Sequence, residues 1–264
     1  MKSLRKLFLL IEVALRNPLE FFDRFEAFLT IRWEKGLVKR ASYPIISAAE
    51  AIAQIIKLFG DRKLSMLDEV KAIEVEVLER MELLTNAPFT TAHNSDFSLA
   101  KLCYLVCRFM QPEIVVETGV AYGVTTTFIL KALQLNGKGM LHSVDLPPLG
   151  RDTDKFIGFL VPNELKDRWV LHRGASKRVL PKLLPQLKKV DIFIHDSLHT
   201  YWNIKRELQL VTPYLSPFAV IIADDIQNNT AFYEWVSKSK PIMWLTFKQE
   251  KKIPLQEYLY FAKD

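Results

Sequence analysis

The chain has 264 residues, of which 49% are hydrophobic and 25% charged, and its formal net charge is +6. These values are close to the average for a soluble globular protein with one sizeable core. The lysines and arginines are scattered along the chain, whereas a nucleic-acid footprint clusters its charge, so we expect no nucleic-acid partner.

The two cysteines, Cys103 and Cys107, lie four residues apart on a predicted helix. No second Cys/His pair accompanies them, so core packing is a better interpretation than a zinc or redox site. Since no disulfide framework is implied, the sequence predicts a protein of the reducing cytoplasm.

The N-terminal region, residues 1–88, is predicted to be helical. Its apolar run Leu7–Leu15 superficially resembles a signal peptide, but Glu12 interrupts the run and no small-residue cleavage site follows. The run has helical spacing, and a basic amphipathic helix of this kind could contact a membrane surface or a partner. No segment is apolar over the length needed to span a bilayer.

Three further helices are predicted in this region, over residues 19–31, 47–59 and 64–84. The segment Ser47–Glu50 has the form of a capping box, in which Ser47 begins the helix and Glu50 reaches back to it. We expect the region to cover a functional site or to form the contact of a homo-oligomer. The stretch Phe89–Ser95 follows it and could close over that site.

The second predicted domain, residues 89–264, has β-rich runs that alternate with helices such as 126–133 and 201–211. The five predicted strands are 114–117, 140–145, 169–172, 191–195 and 219–223. This alternation predicts an α/β fold, a Rossmann-like doubly wound parallel sheet. Two last runs, 242–248 and 257–262, are too close for a helical crossover and should form an antiparallel hairpin, giving seven strands.

The turn after the first of these strands predicts a ligand site. Gly119 permits a tight turn, and Gly123 allows the backbone to approach a ligand closely before the next helix begins. That helix offers free N–H groups to a carboxylate, and Thr125 adds a hydroxyl donor. A dinucleotide-binding turn would have a third glycine where Thr126 stands, and Glu117 would repel a pyrophosphate but attract an amino group.

Two later strand ends extend this prediction to the rest of a nucleoside-like ligand. Asp145 ends the second strand, 28 residues after Glu117, where an acid can accept both hydroxyls of a ribose. The alternative is that Asp145 caps a helix or belongs to a loop. The third strand leads into Gly174-Ala175-Ser176, a turn suited to the edge of an adenine ring.

The fourth and fifth strands end in three carboxylates, Asp196, Asp224 and Asp225. Neighbouring parallel strands bring these acids together, and like-charge repulsion would be costly without a cation. A hard divalent ion, Mg²⁺ in the first place, resolves the repulsion. The alternative is that Asp224 or Asp225 only caps the following helix, which accounts for one acid but not for three.

Taken in order, these motifs resemble those of class I S-adenosylmethionine-dependent methyltransferases over roughly residues 90–264. More closely, they are similar to metal-dependent O-methyltransferases of the catechol type and of the macrocin and cephalosporin-hydroxylase type. The resemblance implies that the methionine part of the cofactor is held by Glu117 and by the turn Gly119, Val120, Ala121, Tyr122 and Gly123. It also implies that Asp145 binds the ribose and that Ala175 and Ser176 flank the adenine.

For the chemistry, the resemblance implies that Asp196, Asp224 and Asp225 bind the metal and that His199 is the general base. Asp196 is also predicted to act in catalysis and to contact the cofactor. Glu is frequent in those families where Asp224 stands, and the shorter side chain should change the reach of the ligand. His199 could instead be a metal ligand or a structural hydrogen-bonding residue. His195, at the end of the fourth strand, is predicted to support the site from behind.

The sequence therefore predicts methylation of a hydroxyl on a small molecule such as a sugar or a secondary metabolite. Three alternatives stay open: a methyltransferase that needs no metal, an NAD-linked oxidoreductase, and a non-enzymatic scaffold protein. Glu117 and the missing third glycine disfavour NAD, and the presence of all four chemical residues disfavours a scaffold. The acceptor itself is not encoded in a recognisable motif, and a nitrogen acceptor also stays open.

Overall fold

The computed structural model describes residues 2–59, 64–84, 97–150, 152–248 and 256–261. The segment Phe89–Ser95, and with it the predicted domain boundary after residue 88, lies outside the described residues. None of the helices in the described ranges combines the length and the apolar character that crossing a bilayer requires.

The N-terminal half of the structure is helical, as predicted. Asn17 begins the second helix by accepting a hydrogen bond from the Glu20 N–H at 3.2 Å, and Pro18 takes the first helical position, where a missing N–H costs nothing. The predicted capping box is confirmed, since the Ser47 and Glu50 N–H groups donate to each other's side chains at 2.8 and 3.1 Å. The helices are α1 (Lys2–Arg16), α2 (Pro18–Glu34), α3 (Ala48–Phe59), α4 (Leu64–Glu82) and α5 (Phe97–Met110).

The C-terminal half alternates strands and helices, and all five predicted parallel strands are present. The strands are β1 (Ile46–Ser47), β2 (Ile114–Thr118), β3 (Met140–Asp145), β4 (Trp169–Arg173), β5 (Val190–His195), β6 (Leu215–Asp224), β7 (Met243–Lys248) and β8 (Gln256–Phe261). The helices between them are α6 (Val124–Asn136), α7 (Ser176–Leu187), α8 (Tyr201–Val211) and α9 (Ala231–Ser239).

The described strands form one sheet in the order β1-β7-β8-β6-β5-β2-β3-β4. The strands β2 to β6 are parallel, and β8 lies between β6 and β7 and runs antiparallel to both, as the predicted hairpin requires. The sheet has one strand more than predicted, because the two residues of β1 pair with β7 at its edge. A strand of two residues has no periodicity that the sequence could have revealed.

The order of the strands reverses between β2 and β5. The chain builds outward from β2 through β3 to β4, and then returns to place β5 on the other side of β2. In a doubly wound sheet, ligands bind outside the carboxyl ends of the strands at this switch point.

Alternate side chains of the strands supply two cores, one on each face of the sheet. Val115 and Ile192 face the core formed with α3, α4, α5 and α6, whereas Val116 and Phe193 face the core formed with α7, α8 and α9. Cys103 and Cys107 are buried in the first core as free thiols, which agrees with their predicted packing role.

The first two helices differ from the rest because they expose large apolar side chains. On α1 and α2 the spacing of three or four residues places these side chains in a stripe on each helix. The stripe residues are Phe8, Ile11 and Leu15 on α1, and Leu19, Phe22, Phe25, Leu29 and Trp33 on α2, each at least 48% exposed. An apolar surface of this extent marks a contact with something else.

At the amino ends of the two central strands, away from their carboxyl ends at the switch point, Asp191 joins β5 to β2. Its Oδ2 atom accepts hydrogen bonds from the Glu113 and Ile114 N–H groups at 2.9 and 3.1 Å. Burial raises the pKa of Asp191, but these two donors, together with Ser216 and Lys189, outweigh burial and hold the pKa below its usual value.

We therefore expect Asp191→Asn to lower the free energy of unfolding by about 1–3 kcal/mol, because both backbone donors lose an ionised acceptor. The loss should be complete at neutral pH and should shrink as the pH falls from about 4 towards the lowered pKa of the folded state. Urea unfolding measures it, with Lys189→Ala as the control, since that lysine pairs with Asp191 from an exposed position. Equal stability of Asp191→Asn and wild type at pH 7 would contradict the assignment.

Candidate active site

A cavity of about 740 Å³ lies at the carboxyl ends of β2, β3, β5 and β6, and residues of α1 and α2 cover it. The predicted cofactor-binding residues that line it are Gly119, Val120, Ala121, Thr125, Asp145, Ala175, Ser176 and Asp196. The predicted chemical residues His199, Asp224 and Asp225 line it too. The cavity thus joins the two predicted parts of the site in one space.

Three predicted cofactor residues do not line this cavity. Tyr122 is fully buried in the core behind the turn. Gly123 has a φ of +93°, and a Cβ atom there would lie 2.8 Å from the Cα atom of Gly158. The close approach that Gly123 permits in this structure is therefore to another part of the chain, the backbone of Gly158.

Glu117 also lies behind the turn, at the carboxyl end of β2. Its Oε2 atom accepts hydrogen bonds from Thr126 Oγ1 at 2.9 Å and from Ser143 Oγ at 2.7 Å. Its Oε1 atom is buried without a hydrogen-bond partner among the described residues. Burial raises the pKa of Glu117 to about 8, although both hydroxyl donors act in the opposite direction.

The turn itself is shaped by contact with the end of β5. Gly119 has a φ of +88°, and a Cβ atom there would lie 2.0 Å from the backbone oxygen of Asp196. The Asp196 N–H donates to the Thr118 carbonyl at 2.8 Å. Because a side chain at residue 119 would push this contact apart, glycine is required there for a second reason besides its backbone angle.

Asp145 fixes the same turn from the side of β3. Its Oδ2 atom accepts hydrogen bonds from the N–H groups of Val120 and Ala121, both at 2.9 Å. Burial raises the pKa of Asp145, and the nearby charge of Asp196 adds to the rise. Sequence reasoning placed Asp145 opposite the ribose, but it did not foresee that the same carboxylate shapes the turn.

The acids and the histidine form a compact group. One ligand atom each of Asp196, His199 and Asp224 lies within 4.8 Å of the other two. His199 Nε2 lies 3.5 Å from Asp196 Oδ1, and His199 Nδ1 is hydrogen-bonded to Asp225 Oδ2 at 3.0 Å. Asp225 has a φ of +51°, a backbone conformation that turns the chain sharply at the end of β6.

The charges in this group perturb one another. Burial, followed by repulsion from Asp196, raises the pKa of Asp224 well above its usual value. Burial lowers the pKa of His199, but hydrogen bonding to Asp196 and Asp225 outweighs it and raises that pKa well above the usual value. A cation between the carboxylates would relieve the repulsion.

Sequence reasoning missed the part that α2 has in this site. Glu20 pairs with Arg173 at 2.7 Å, and Asp23 pairs with Lys177 and Arg178 at 2.9 and 2.7 Å. These ion pairs join α2 to the end of β4 and the start of α7, beside Ala175 and Ser176. At the other end of α2, Glu34 accepts the Tyr201 N–H at 2.7 Å, so it caps α8. The acids at positions 20, 23 and 26 were the available signal.

The comparisons with known proteins agree on one class. Residues 116–226 match the family model of a methyltransferase domain. The O-methyltransferase TomG of Streptomyces achromogenes, solved with S-adenosylmethionine, is similar in fold, with a TM-score of 0.58 at 15% identity over 89% of this chain and 96% of that chain.

An O-methyltransferase of Bacillus cereus, solved with S-adenosylhomocysteine, gives a TM-score of 0.56 at 17% identity over 81% of this chain and 97% of that one. A methyltransferase of Podospora anserina, solved with S-adenosylhomocysteine, gives a TM-score of 0.51 at 13% identity over 78% of this chain and 98% of that one. No curated protein sequence matches the chain.

The matched domain begins in β2 and ends just after Asp225, so it contains the turn, the ribose-side acid and the acid–histidine group. The sheet has the strand order of the class I fold, with β8 inserted antiparallel between β6 and β7. The chain therefore contains a methyltransferase domain over residues 116–226 and has the fold of the class I S-adenosylmethionine-dependent methyltransferases.

Proposed function

We propose that the protein methylates a hydroxyl oxygen of a small molecule and that a divalent cation, Mg²⁺ in the first place, binds beside the acceptor. One observation carries this proposal: Asp196, His199 and Asp224 converge in the same cavity as the cofactor turn. The named O-methyltransferases of similar fold support oxygen as the acceptor atom.

The residues around the cavity fit the parts of S-adenosylmethionine. Asp145 is suited to the ribose hydroxyls, and Ala175 and Ser176 are suited to the adenine edge. The N-terminus of α6 and the Thr125 hydroxyl are suited to the methionine carboxylate. When bound, the cofactor supplies a methyl group that is already activated on a sulfonium. The protein's task is to orient the acceptor in line with that methyl group.

The donor set also fits a divalent cation. Asp196 and Asp224 offer oxygen ligands of the type that Mg²⁺ prefers. When bound, the cation would lower the pKa of the acceptor hydroxyl. Asp225 was predicted to be the third metal ligand, but it is hydrogen-bonded to His199 and is not one of the three converging residues. We assign it the orientation of the imidazole ring.

His199 then acts as the general base. Its Nδ1 atom is held by Asp225, which leaves Nε2 to take the proton of the acceptor hydroxyl. The negative charge of Asp225 stabilises the imidazolium that forms. His199 Nε2 lies 3.5 Å from Asp196 Oδ1. A cation bound by Asp196 and Asp224 would offset the negative charge that raises the His199 pKa, and would so leave Nε2 able to accept a proton.

Apolar side chains of the N-terminal helices also line the cavity, and we assign these walls to the acceptor. They are Leu10 of α1 and Phe28 and Ile31 of α2, and Trp202 of α8 lines the cavity too. Region 1–88 would therefore act as the cover that the sequence suggested, with apolar side chains towards the acceptor. A sugar or a secondary metabolite carrying a hydroxyl next to an apolar surface fits these walls.

The first prediction from the proposed function concerns the cofactor. S-adenosylhomocysteine should bind in calorimetry, and Asp145→Ala should weaken binding about tenfold or more, because a charge-assisted contact and the support of the turn are lost together. The exposed Asp167→Ala is the control and should bind like wild type. Binding of NAD in place of S-adenosylhomocysteine would overturn the cofactor assignment.

The second prediction separates the metal ligands from the base. Asp224→Asn should lose both Mn²⁺ binding, measured by electron paramagnetic resonance, and methyl transfer. His199→Gln should still bind Mn²⁺ but lose methyl transfer by about 10²–10⁴-fold, the usual contribution of a general base.

His172→Gln, a histidine remote from the acids, serves as the control for the second prediction and should change neither property. Loss of Mn²⁺ binding in His199→Gln would make this histidine a metal ligand. Full turnover of wild type in EDTA would favour the metal-independent alternative.

The third prediction concerns the partner of the α1–α2 stripe. We propose that a second copy of the chain covers it, since helical stripes of this kind pack against each other in symmetric dimers. Wild type should run as a dimer in light scattering, and Phe22→Glu with Trp33→Glu should run as a monomer. The exposed Phe218→Glu, on β6, is the control. A monomeric wild type would show that the stripe has another partner.

A further inference from the structure

Glu207 is a fully buried acid on α8 that lies outside every motif considered so far. Both of its carboxylate oxygens are occupied. Oε2 accepts hydrogen bonds from Thr118 Oγ1 and is paired with His195 Nδ1, each at 2.7 Å. Oε1 accepts them from Ser197 Oγ at 2.8 Å and from Asn203 Nδ2 at 3.0 Å.

These partners all lie next to residues that are proposed to take part in the reaction. His195 and Ser197 stand immediately before and after Asp196, and each is bound to a different oxygen of the same carboxylate. Thr118 immediately precedes Gly119, the first residue of the cofactor turn. Asn203 continues the connection by donating to the Leu198 carbonyl at 3.0 Å, next to His199.

The arrangement keeps Glu207 ionised. Although burial raises its pKa, the charge of His195 and the surrounding donors hold the pKa at about 2. A buried carboxylate with four donors is tightly fixed, and breaking one such contact leaves a buried polar group unsatisfied. The same hydrogen bonds fix the four donor residues in place.

We propose that Glu207 is a positioning residue, which fixes Asp196 and the loop to His199 against the cofactor turn. This proposal rests on the proposed function, because it takes the roles of Asp196 and His199 from there. Glu207 itself does not line the cavity and touches neither substrate nor cofactor. It acts through the residues on both sides of Asp196.

The substitution Glu207→Gln tests the proposal with little change in size. One oxygen becomes an NH₂ group, which meets either the Asn203 amide donor or the ring of His195. Whichever of the two faces the NH₂ group, the Asn203 amide or a His195 ring that donates at Nδ1, then loses its bond to residue 207. Ser197→Ala is the milder second variant, since it removes the hydrogen bonds of the Ser197 hydroxyl to Glu207 and Asn203 but leaves the acid in place.

The control variant is Asp191→Asn. It also removes the charge of a buried carboxylate that connects β5 to β2, but at the amino ends of these strands, away from the cavity. It should therefore destabilise the fold without disturbing the site.

The experiment measures amide hydrogen exchange and Mn²⁺ affinity of the full chain. Exchange needs no metal and reports on the Asp196 N–H, which is protected by its bond to Thr118. In Glu207→Gln we expect exchange at residues 196–200 to rise about tenfold or more relative to the centre of β5. Mn²⁺ affinity should fall about 10–100-fold, as for other residues that orient metal ligands. Ser197→Ala should show the same pattern to a smaller extent, and Asp191→Asn should not show it.

The outcomes separate the two proposals. If wild type binds no Mn²⁺ but Glu207→Gln still loosens residues 196–200, the metal assignment fails and the positioning role stands. If Glu207→Gln leaves both local exchange and Mn²⁺ affinity at the wild-type values, the positioning role is wrong. A uniform rise in exchange over the whole sheet, equal to that of Asp191→Asn, would also overturn it, since the effect would then be one of stability alone.

Discussion

The contact between Gly119 and the backbone of Asp196 determines where everything else in the site lies. A Cβ atom at residue 119 would come within 2.0 Å of the Asp196 oxygen, so the end of β2 and the end of β5 meet without a side chain between them. This contact brings the turn proposed to hold the methyl donor next to Asp196, the first acid of the acid–histidine group. A reaction that depends on alignment needs that proximity to be fixed before the substrate arrives.

Charge then decides what the site can do. Asp196, Asp224 and Asp225 come together at the ends of two neighbouring strands, and His199 is the only imidazole among the residues that line the described cavity. Burial raises the pKa of Asp224, and repulsion from Asp196 adds to the rise. The fold tolerates the repulsion between these carboxylates because backbone pairing between β5 and β6 holds the strand ends in place. Because the fold holds these carboxylates close together, the site is suited to bind a cation and to stabilise the positive charge that develops on His199.

Much of this was predictable, because it depends on local patterns. Strand periodicity, the glycine turn and the acids at strand ends each occupy a few consecutive residues, and together they predicted the sheet and the cavity lining. Contacts between residues that lie far apart in the sequence could not be predicted in this way. Sequence reasoning did not foresee that Glu117 lies behind the turn with Thr126 and Ser143, or that Asp225 binds His199. The ion pairs of α2 and the contacts of Glu207 join residues from several elements, and no spacing rule reveals them.

The central claim is that methyl donor and cation occupy adjacent parts of one cavity. Nuclear magnetic resonance of bound S-adenosylhomocysteine, titrated with Mn²⁺, tests it most directly, because a paramagnetic ion broadens the resonances of nearby nuclei. We expect the methionine resonances to broaden more than those of the adenine, and the effect to vanish in Asp224→Asn. If S-adenosylhomocysteine binds and its resonances stay sharp at saturating Mn²⁺, the claim is contradicted.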